Sequence, residues 1–134
     1  MAGAAAITML TVLTAAGSAS GIPLPYDPNP PLYVLQWGSG GDLDSQFSTP
    51  TGVATAPNGD VYVADRDNDR VQRFSDVGVY ELQFGSMGSG NGQFRDPYGI
   101  AVDIAGNVYV SEVTNDRIQV FNADGQFITS FGGP

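Results

Sequence analysis

The chain has 134 residues, a formal net charge of -9, no cysteine and no histidine. This length accommodates one domain. The acidic balance repels phosphate backbones, and the five arginines are scattered among acidic residues, which argues against nucleic acid as a partner. The missing residue types exclude a disulfide framework, a thiolate nucleophile, and histidine-based catalytic or zinc sites in this chain.

The N-terminus is predicted to be a targeting segment. Residues 4–16 form an apolar run interrupted by three threonines, and small residues follow at positions 17–20. This pattern predicts a signal peptide-like segment at 1–20 and a secreted or extracytoplasmic protein, although no Lys or Arg precedes the run. The alternative is a frayed N-terminal helix. The run is too short for a stable membrane span. Five prolines then predict an extended linker over residues 21–32.

After the linker the sequence changes to short alternating runs rich in Val, Ile, Tyr and Phe, separated by Gly, Asn and Asp. This pattern is typical of strands. Glycines between consecutive runs, such as Gly59 and Gly78, predict tight turns and antiparallel pairing. The predicted strands lie at 33–37, 52–56, 60–64, 70–75, 80–84, 99–103, 107–111, 117–122 and 127–131.

The strand pattern is an internal repeat. Residues 35–81 align with residues 82–128 without a gap, so that Leu82 falls on Leu35 at an offset of 47. The register starts a third time at 130–132. A period of this length indicates stacked modules, each a four-stranded meander that needs a neighbour to cover its apolar faces. Trp37, Phe84 and Phe131 recur at one place in the repeat, so we expect them to pack between modules.

The repeated strings resemble the NHL repeat, the blade unit of a class of β-propellers. The first copy reads PTGVA at 50–54, NGDVYVAD at 58–65 and NDRVQRF at 68–74; the second reads PYGIAVD at 97–103, GNVYV at 106–110 and NDRIQVF at 115–121. The resemblance implies an all-β fold of two four-stranded antiparallel NHL-type blades, an incomplete propeller over residues 33–134. The repeats are placed at about 47–91 and 94–134. The histidine in the family's name is replaced by Asp69 and Asp116.

Propellers of this family close with about six blades, and two explanations for the smaller number are considered. The favoured one is that these residues begin a longer propeller that continues in further blades. The second is a homotrimer in which three copies build one ring. A stable two-blade monomer is not expected, because it exposes apolar faces and strand edges.

Candidate ligand-binding residues lie in loops expected on one rim of the propeller. We expect Asp65 with Arg70, and Glu112 with Arg117, to form structural ion pairs, because both repeats keep them. Positions at which the repeats differ are better candidates for a specific binding face. The candidate rim residues are Arg66, Asp67, Asn68, Arg95, Tyr98, Thr114 and Asn115; of these, Asn68 and Asn115 are also expected to cap backbone amides.

A calcium loop is a secondary hypothesis. Asp65, Asp67 and Asp69 alternate as carboxylate ligands of calcium do, but Arg70 follows where such loops have glycine. No catalytic residue and no cofactor are assigned.

The sequence thus favours a non-catalytic scaffold that binds a protein, peptide or glycan. The alternative is the N-terminal part of a propeller lyase or hydrolase whose catalytic residues lie in further blades. Some NHL-like propellers are lyases with histidine-bound metals, and no residue here matches those ligands. RNA recognition, as in tripartite-motif NHL proteins, conflicts with the charge.

Overall fold

The computed structural model describes residues 34–133, which lie in one compact unit. The predicted signal peptide-like segment and linker lie outside the described residues. The described residues contain ten strands, one 3-10 turn at Arg66–Asn68, and no α-helix. The strands are β1 Ser39–Gly40, β2 Gln46–Phe47, β3 Pro50–Thr55, β4 Val61–Asp65, β5 Arg70–Phe74, β6 Tyr80–Phe84, β7 Pro97–Val102, β8 Val108–Glu112, β9 Arg117–Phe121 and β10 Phe127–Gly132.

Eight of these strands form two four-stranded antiparallel sheets. The first sheet, blade 1, has the order β3-β4-β5-β6, and the second, blade 2, has the order β7-β8-β9-β10. Each blade is therefore a meander in chain order, as the turn glycines predict. In blade 1, for example, the amide of Gly59, at φ 96°, donates to the carbonyl of Ala56 at 2.9 Å. This left-handed conformation suits glycine at a tight turn.

The core lies mainly between the blades. Tyr62, Val71 and Phe84 of blade 1 pack in one cluster with residues of blade 2, among them Val110 and Phe121. The centroids of the Phe84 and Phe121 rings are 4.8 Å apart. Aromatic pairs of this kind contribute about 0.5–1.5 kcal/mol beyond the area that they bury. The expected packing of Phe84 between blades is thus confirmed.

Close approach of the first strands fixes the blades side by side. A Cβ on Gly52 of β3 would lie 2.5 Å from the carbonyl oxygen of Tyr98 in β7, so only glycine fits there. The Thr51 hydroxyl donates to the carbonyls of Pro97 and Tyr98, each at 3.0 Å. At the other end of the interface the Tyr62 hydroxyl donates to the carbonyl of Ala123 at 3.3 Å.

The strand predicted at 33–37 is wrong for its described part, residues 34–37, which have no strand pairing. The alternating pattern is present, but no described residue offers them a neighbouring strand. The short parallel pair of β1 with β2 was not predicted. It lies within the segment that leads into blade 1, and Met87 and Phe94 make the equivalent parallel bridge before blade 2.

Candidate functional site

The loops after β4, after β6 and after β8 gather at one end of the two blades. In each blade a backbone hydrogen bond ties the loop after the second strand to the segment that precedes the first strand: the amide of Asp67 donates to Ser48 O at 3.1 Å, and that of Val113 donates to Asp96 O at 3.2 Å. This end is called the rim below. The seven candidate residues fall on three of its segments: the β4–β5 loop, the stretch from β6 into the start of β7, and the β8–β9 loop.

A buried carboxylate supports each rim loop from below. The Asp65 side chain is fully buried and accepts from Ser48 N at 2.7 Å, Asn68 Nδ2 at 2.8 Å and Arg70 Nε at 2.8 Å. Three charge-assisted hydrogen bonds compensate a buried carboxylate for the loss of its hydration. The predicted ion pair between Asp65 and Arg70 is therefore present.

The same arrangement recurs in blade 2. Glu112 is buried and accepts from Arg95 N at 3.1 Å and Arg117 Nε at 2.6 Å. The guanidinium of Arg117 also donates to the carbonyls of Ser89, Gly90 and Gln93, as that of Arg70 does to the carbonyls of Asp42, Leu43 and Gln46. Each arginine thus ties the third strand of its blade to the segment that leads into that blade.

The expected capping role of Asn68 and Asn115 is wrong. Both side chains donate through their amide nitrogen instead of accepting from backbone amides. Asn68 Nδ2 bonds the carboxylate of Asp65 and the carbonyl of Gly41 at 2.9 Å. Asn115 Nδ2 bonds Glu112 and the carbonyl of Gly88. The buried acids require donors, and this requirement decides how the amides are used.

Above this support the rim has a groove of about 420 Å³ between the β4–β5 loop of blade 1 and the segment that leads from β6 into blade 2. It brings together three of the candidate residues, Arg66, Asp67 and Arg95, while Tyr98 is exposed on β7 and Thr114 reaches the groove only through Asp96. The residues that line the groove are Arg66, Asp67, Asp69, Met87, Arg95 and Asp96.

Asp96 is the central residue of the groove, and the sequence reasoning missed it. Arg66 Nε lies 3.0 Å from Asp96 Oδ1, the Thr114 hydroxyl donates to Asp96 Oδ2, and the amide of Asp96 donates to Asp69 Oδ1 at 3.2 Å. The hydrogen bond from Thr114, and then that from Arg66, lower the pKa of Asp96 below its ordinary value. The same Asp96 contact raises the pKa of Arg66. Asp96 therefore connects the loops of both blades as an ionised group.

The sequence does contain a signal that points to Asp96: a threonine and an aspartate change places between the two repeats. In blade 1 the Thr49 hydroxyl donates to Asp67 Oδ2 at 2.6 Å, and in blade 2 Thr114 donates to Asp96. Asp96 aligns with Thr49, and Thr114 aligns with Asp67. The hydroxyl–carboxylate pair is thus kept while its two members change places. In blade 2 the exchange puts the carboxylate on the side that faces Arg66.

Two groove side chains have no strong partner within residues 34–133. Arg95 takes part in none of the ion pairs of these residues, whereas every other arginine does. Met87 is 74% exposed. The groove therefore offers a ligand one unpaired guanidinium and one apolar thioether beside three carboxylates.

The calcium candidates are directed to different partners. Asp65 accepts from Arg70 in the interior, Asp67 accepts from Thr49, and Asp69 accepts from the amide of Asp96. Within residues 34–133 no group of three or more Asp, Glu, His or Cys side chains is arranged to hold a metal ion.

A second hollow, of about 280 Å³, lies at the opposite end of the blades, between the β3–β4 and β7–β8 turns. It is lined mostly by small and apolar side chains, including Ala56, Pro57 and Ile104. We favour the rim groove as the candidate site because the groove combines charged groups of both signs in fixed positions, and specific recognition needs such polar groups.

The two stacked antiparallel blades define a β-propeller protein. More particularly, the chain contains an NHL repeat: residues 47–74 match the family model described as NHL repeat, and blade 2 repeats the pattern of that sequence at the offset of 47. A curated relative, the B-box type zinc finger protein ncl-1 of Caenorhabditis elegans, is 40% identical over 47 residues, which cover 35% of this chain and 6% of that protein.

Solved structures show the same fold. A Bacteroides fragilis protein assigned as exported has a TM-score of 0.58 at 22% identity, over 75% of this chain and 29% of its own. Streptogramin B lyase has a TM-score of 0.52 at 16% identity, over 66% of this chain and 28% of its own. The chain thus spans under a third of each of these proteins. Within residues 34–133 no helix has the length and apolar character of a membrane span.

Proposed function

We propose that this chain is a non-catalytic binding scaffold whose rim groove holds a segment of a protein or peptide, or a glycan. One observation carries the proposal. The buried support is the same in both repeats, whereas most side chains that line the groove differ from their counterparts. Arg66 aligns with Val113, and Arg95 aligns with Ser48. A kept frame with a varied face is how a repeat scaffold acquires a specific ligand.

The composition of the groove supports a peptide over a uniformly charged ligand. Carboxylates of Asp67, Asp69 and Asp96 lie beside the guanidinium groups of Arg66 and Arg95. An extended peptide presents backbone donors, backbone acceptors and side chains of either charge to such a surface. A nucleic acid would meet three carboxylates here and a chain of net charge -9.

Export belongs to the same proposal. It rests on the signal peptide-like pattern of residues 1–20 and would place the groove outside the cytoplasm, where protein, peptide and glycan ligands are available. The alternative of a lyase or hydrolase stays a hypothesis about residues beyond this blade pair. The likeness to streptogramin B lyase is a likeness of fold at 16% identity and does not transfer its activity.

The test uses exchange variants between the repeats. The full chain and the double variant Arg66→Val with Arg95→Ser are applied to peptide and glycan arrays, and each bound member is titrated in solution. Each substitution introduces the residue that the other repeat already has at that position, so we expect the blades to remain folded. We expect affinity to fall at least tenfold, which is about 1.4 kcal/mol.

Ala105→Asn is the matched control. It introduces the first repeat's residue in a turn at the opposite end of the blades, and we expect binding to be unchanged. The proposal is wrong if no array member binds the unaltered chain, or if the double variant binds as the unaltered chain does while its circular dichroism spectrum is unchanged.

A further inference from the structure

The outward face of blade 2 resembles in sequence the face of blade 1 that is buried between the blades, but no described residue packs over it. Tyr62, Ala64 and Val71 are fully buried between the blades, whereas their counterparts in blade 2 are partly exposed. Those counterparts are Tyr109, Ser111 and Ile118. The tyrosine is kept, Ile118 is larger than Val71 by one methylene, and Ser111 adds to Ala64 a hydroxyl that bonds Gly99 of its own blade. Blade 2 therefore presents almost the same surface that blade 1 buries against it.

Blade 1 has the complementary open face. In the interface between the blades, Ile100 and Val110 of blade 2 are cross-strand partners that pack in the core. Their counterparts Val53 and Val63 are also cross-strand partners; Val63 is buried in a cluster that Trp37 joins, whereas Val53 is 67% exposed. The single chain thus contains both halves of a second interface like the one between its own blades.

The segment of residues 34–38, called the leading segment below, has the sequence of an outermost strand. Its residues 35–38 read LQWG, and the end of β6 with the next residue reads LQFG at 82–85. The leading segment is not paired with any described strand. An unpaired extended segment offers a row of free backbone donors and acceptors.

The leading segment also has the packing of an outermost strand. A Cβ on Gly78 would lie 2.9 Å from the Trp37 ring, and one on Gly125 would lie 2.7 Å from the Phe84 ring. Trp37 contacts Phe74 at a centroid distance of 5.8 Å, as Phe84 contacts Phe121. The leading segment therefore lies on blade 1 where the outermost strand of a preceding blade would lie.

We propose that a second copy of this chain docks blade 2 on the open face of blade 1, and that the leading segment replaces that copy's β10 beside its β9. Tyr109, Ser111 and Ile118 of one copy then cover the exposed Val53 of the other. The contact is heterologous, so it repeats from copy to copy until a ring closes. This proposal does not depend on the proposed ligand-binding function.

β10 has to be replaced because two strands cannot occupy the same position beside β9. Phe131 of β10 and Trp37 of the leading segment both align with Phe84. The position beside β9 of the neighbouring copy therefore has two candidate strands, that copy's own β10 and the leading segment. β10 is the poorer copy of β6, because Thr129 stands where β6 has Leu82, and the leading segment restores the leucine with Leu35.

Light scattering after size exclusion, over a hundredfold range of concentration of the full chain, tests the association. We expect an oligomer of defined mass that dissociates on dilution. Val53→Asp adds a carboxylate to the proposed contact at a position that is exposed in the single copy, and we expect it to weaken association at least tenfold. Ile104→Asp is the control, since Ile104 is 91% exposed at the other end of the blades.

Leu35→Pro tests the strand replacement, because proline removes a backbone donor and fixes φ. We expect it to weaken association as strongly as Val53→Asp. A monomer at all concentrations, which is the outcome if only further blades of a longer chain cover these faces, overturns the proposal. So does equal weakening by Val53→Asp and Ile104→Asp, or a Leu35→Pro chain that associates normally.

Discussion

Blade 1 and blade 2 share a sequence pattern and a topology, yet equivalent residues experience different surroundings. Val71 is fully buried between the blades, and its counterpart Ile118 is partly exposed on the open side of blade 2. The side chains are similar, so the difference comes from the neighbouring sheet alone. Burial in a repeat protein is therefore a property of the stack and not of the single repeat.

The support beneath the rim shows the opposite behaviour. Asp65 and Glu112 are both buried and both paired with an arginine. Yet blade 1 has blade 2 on one face and the leading segment on part of the other, whereas blade 2 has only blade 1 beside it within residues 34–133. Each carboxylate is enclosed by its own blade and by the segment that leads into that blade. Comparing the two blades thus separates residues that depend on stacking from residues that do not.

The largest expected effect concerns this shared support. Asp65→Ala leaves the guanidinium of Arg70 buried without its carboxylate, and we expect a loss of about 3–5 kcal/mol in the free energy of unfolding. Asp65→Glu introduces the acid that blade 2 uses and is expected to cost much less. Urea denaturation of the full chain measures both variants. Equal losses for the two would show that the ion pair is not the cause.

A smaller effect separates the two faces. Val71→Ala is expected to cost about 2 kcal/mol of unfolding free energy, because it removes a fully buried side chain. Ile118→Ala removes more carbon, but from a partly exposed position, and is expected to cost less than half as much. Denaturation is measured at a concentration at which the chain is monomeric. A larger loss for Ile118→Ala would mean that the outward face of blade 2 is already covered.

The smallest effect is electrostatic and concerns the rim groove. Thr114→Val removes the main cause of the lowered pKa of Asp96, and we expect the pKa of Asp96 to rise towards its ordinary value. We expect a smaller rise with Arg66→Val, because Arg66 is the second cause. Because the folded-state pKa is the lower one, the stabilising contribution of Asp96 is present above the unfolded-state pKa and is lost as pH falls through the folded-state pKa. Carboxyl-carbon NMR titration measures these values; an unchanged pKa in Thr114→Val would contradict the assignment.

Much of the fold is predictable from the sequence because turns and alternation are local signals. The strands predicted at 60–64 and 80–84 agree with β4 and β6 to within a residue at each end. The prediction at 33–37 failed because pairing depends on a partner strand, and periodicity reports only the preference of the segment itself. The repeat also predicted both ion pairs, since a pair kept twice at the same spacing indicates a shared structural role.

The rim groove was only partly predictable. Arg66 and Arg95 were found because they differ from their counterparts in the other repeat. Asp96 was missed because, taken alone, its difference from Thr49 resembles the drift of an exposed loop. Its meaning depends on a second difference, between Asp67 and Thr114, which lies 18 positions away in the chain. Contacts of this kind require the third dimension, or a comparison of pairs of positions.

The exchanged hydroxyl and carboxylate have a consequence for the history of the repeats. A single substitution in blade 1, at either Thr49 or Asp67, gives two carboxylates or two hydroxyls at a contact of 2.6 Å. Two carboxylates at that distance repel each other, whereas two hydroxyls can still share a hydrogen bond. The route from one arrangement to the other is therefore expected to pass through a pair of threonines. Among related blades the two positions should vary together, and blades with an acid at both should be the rarest class.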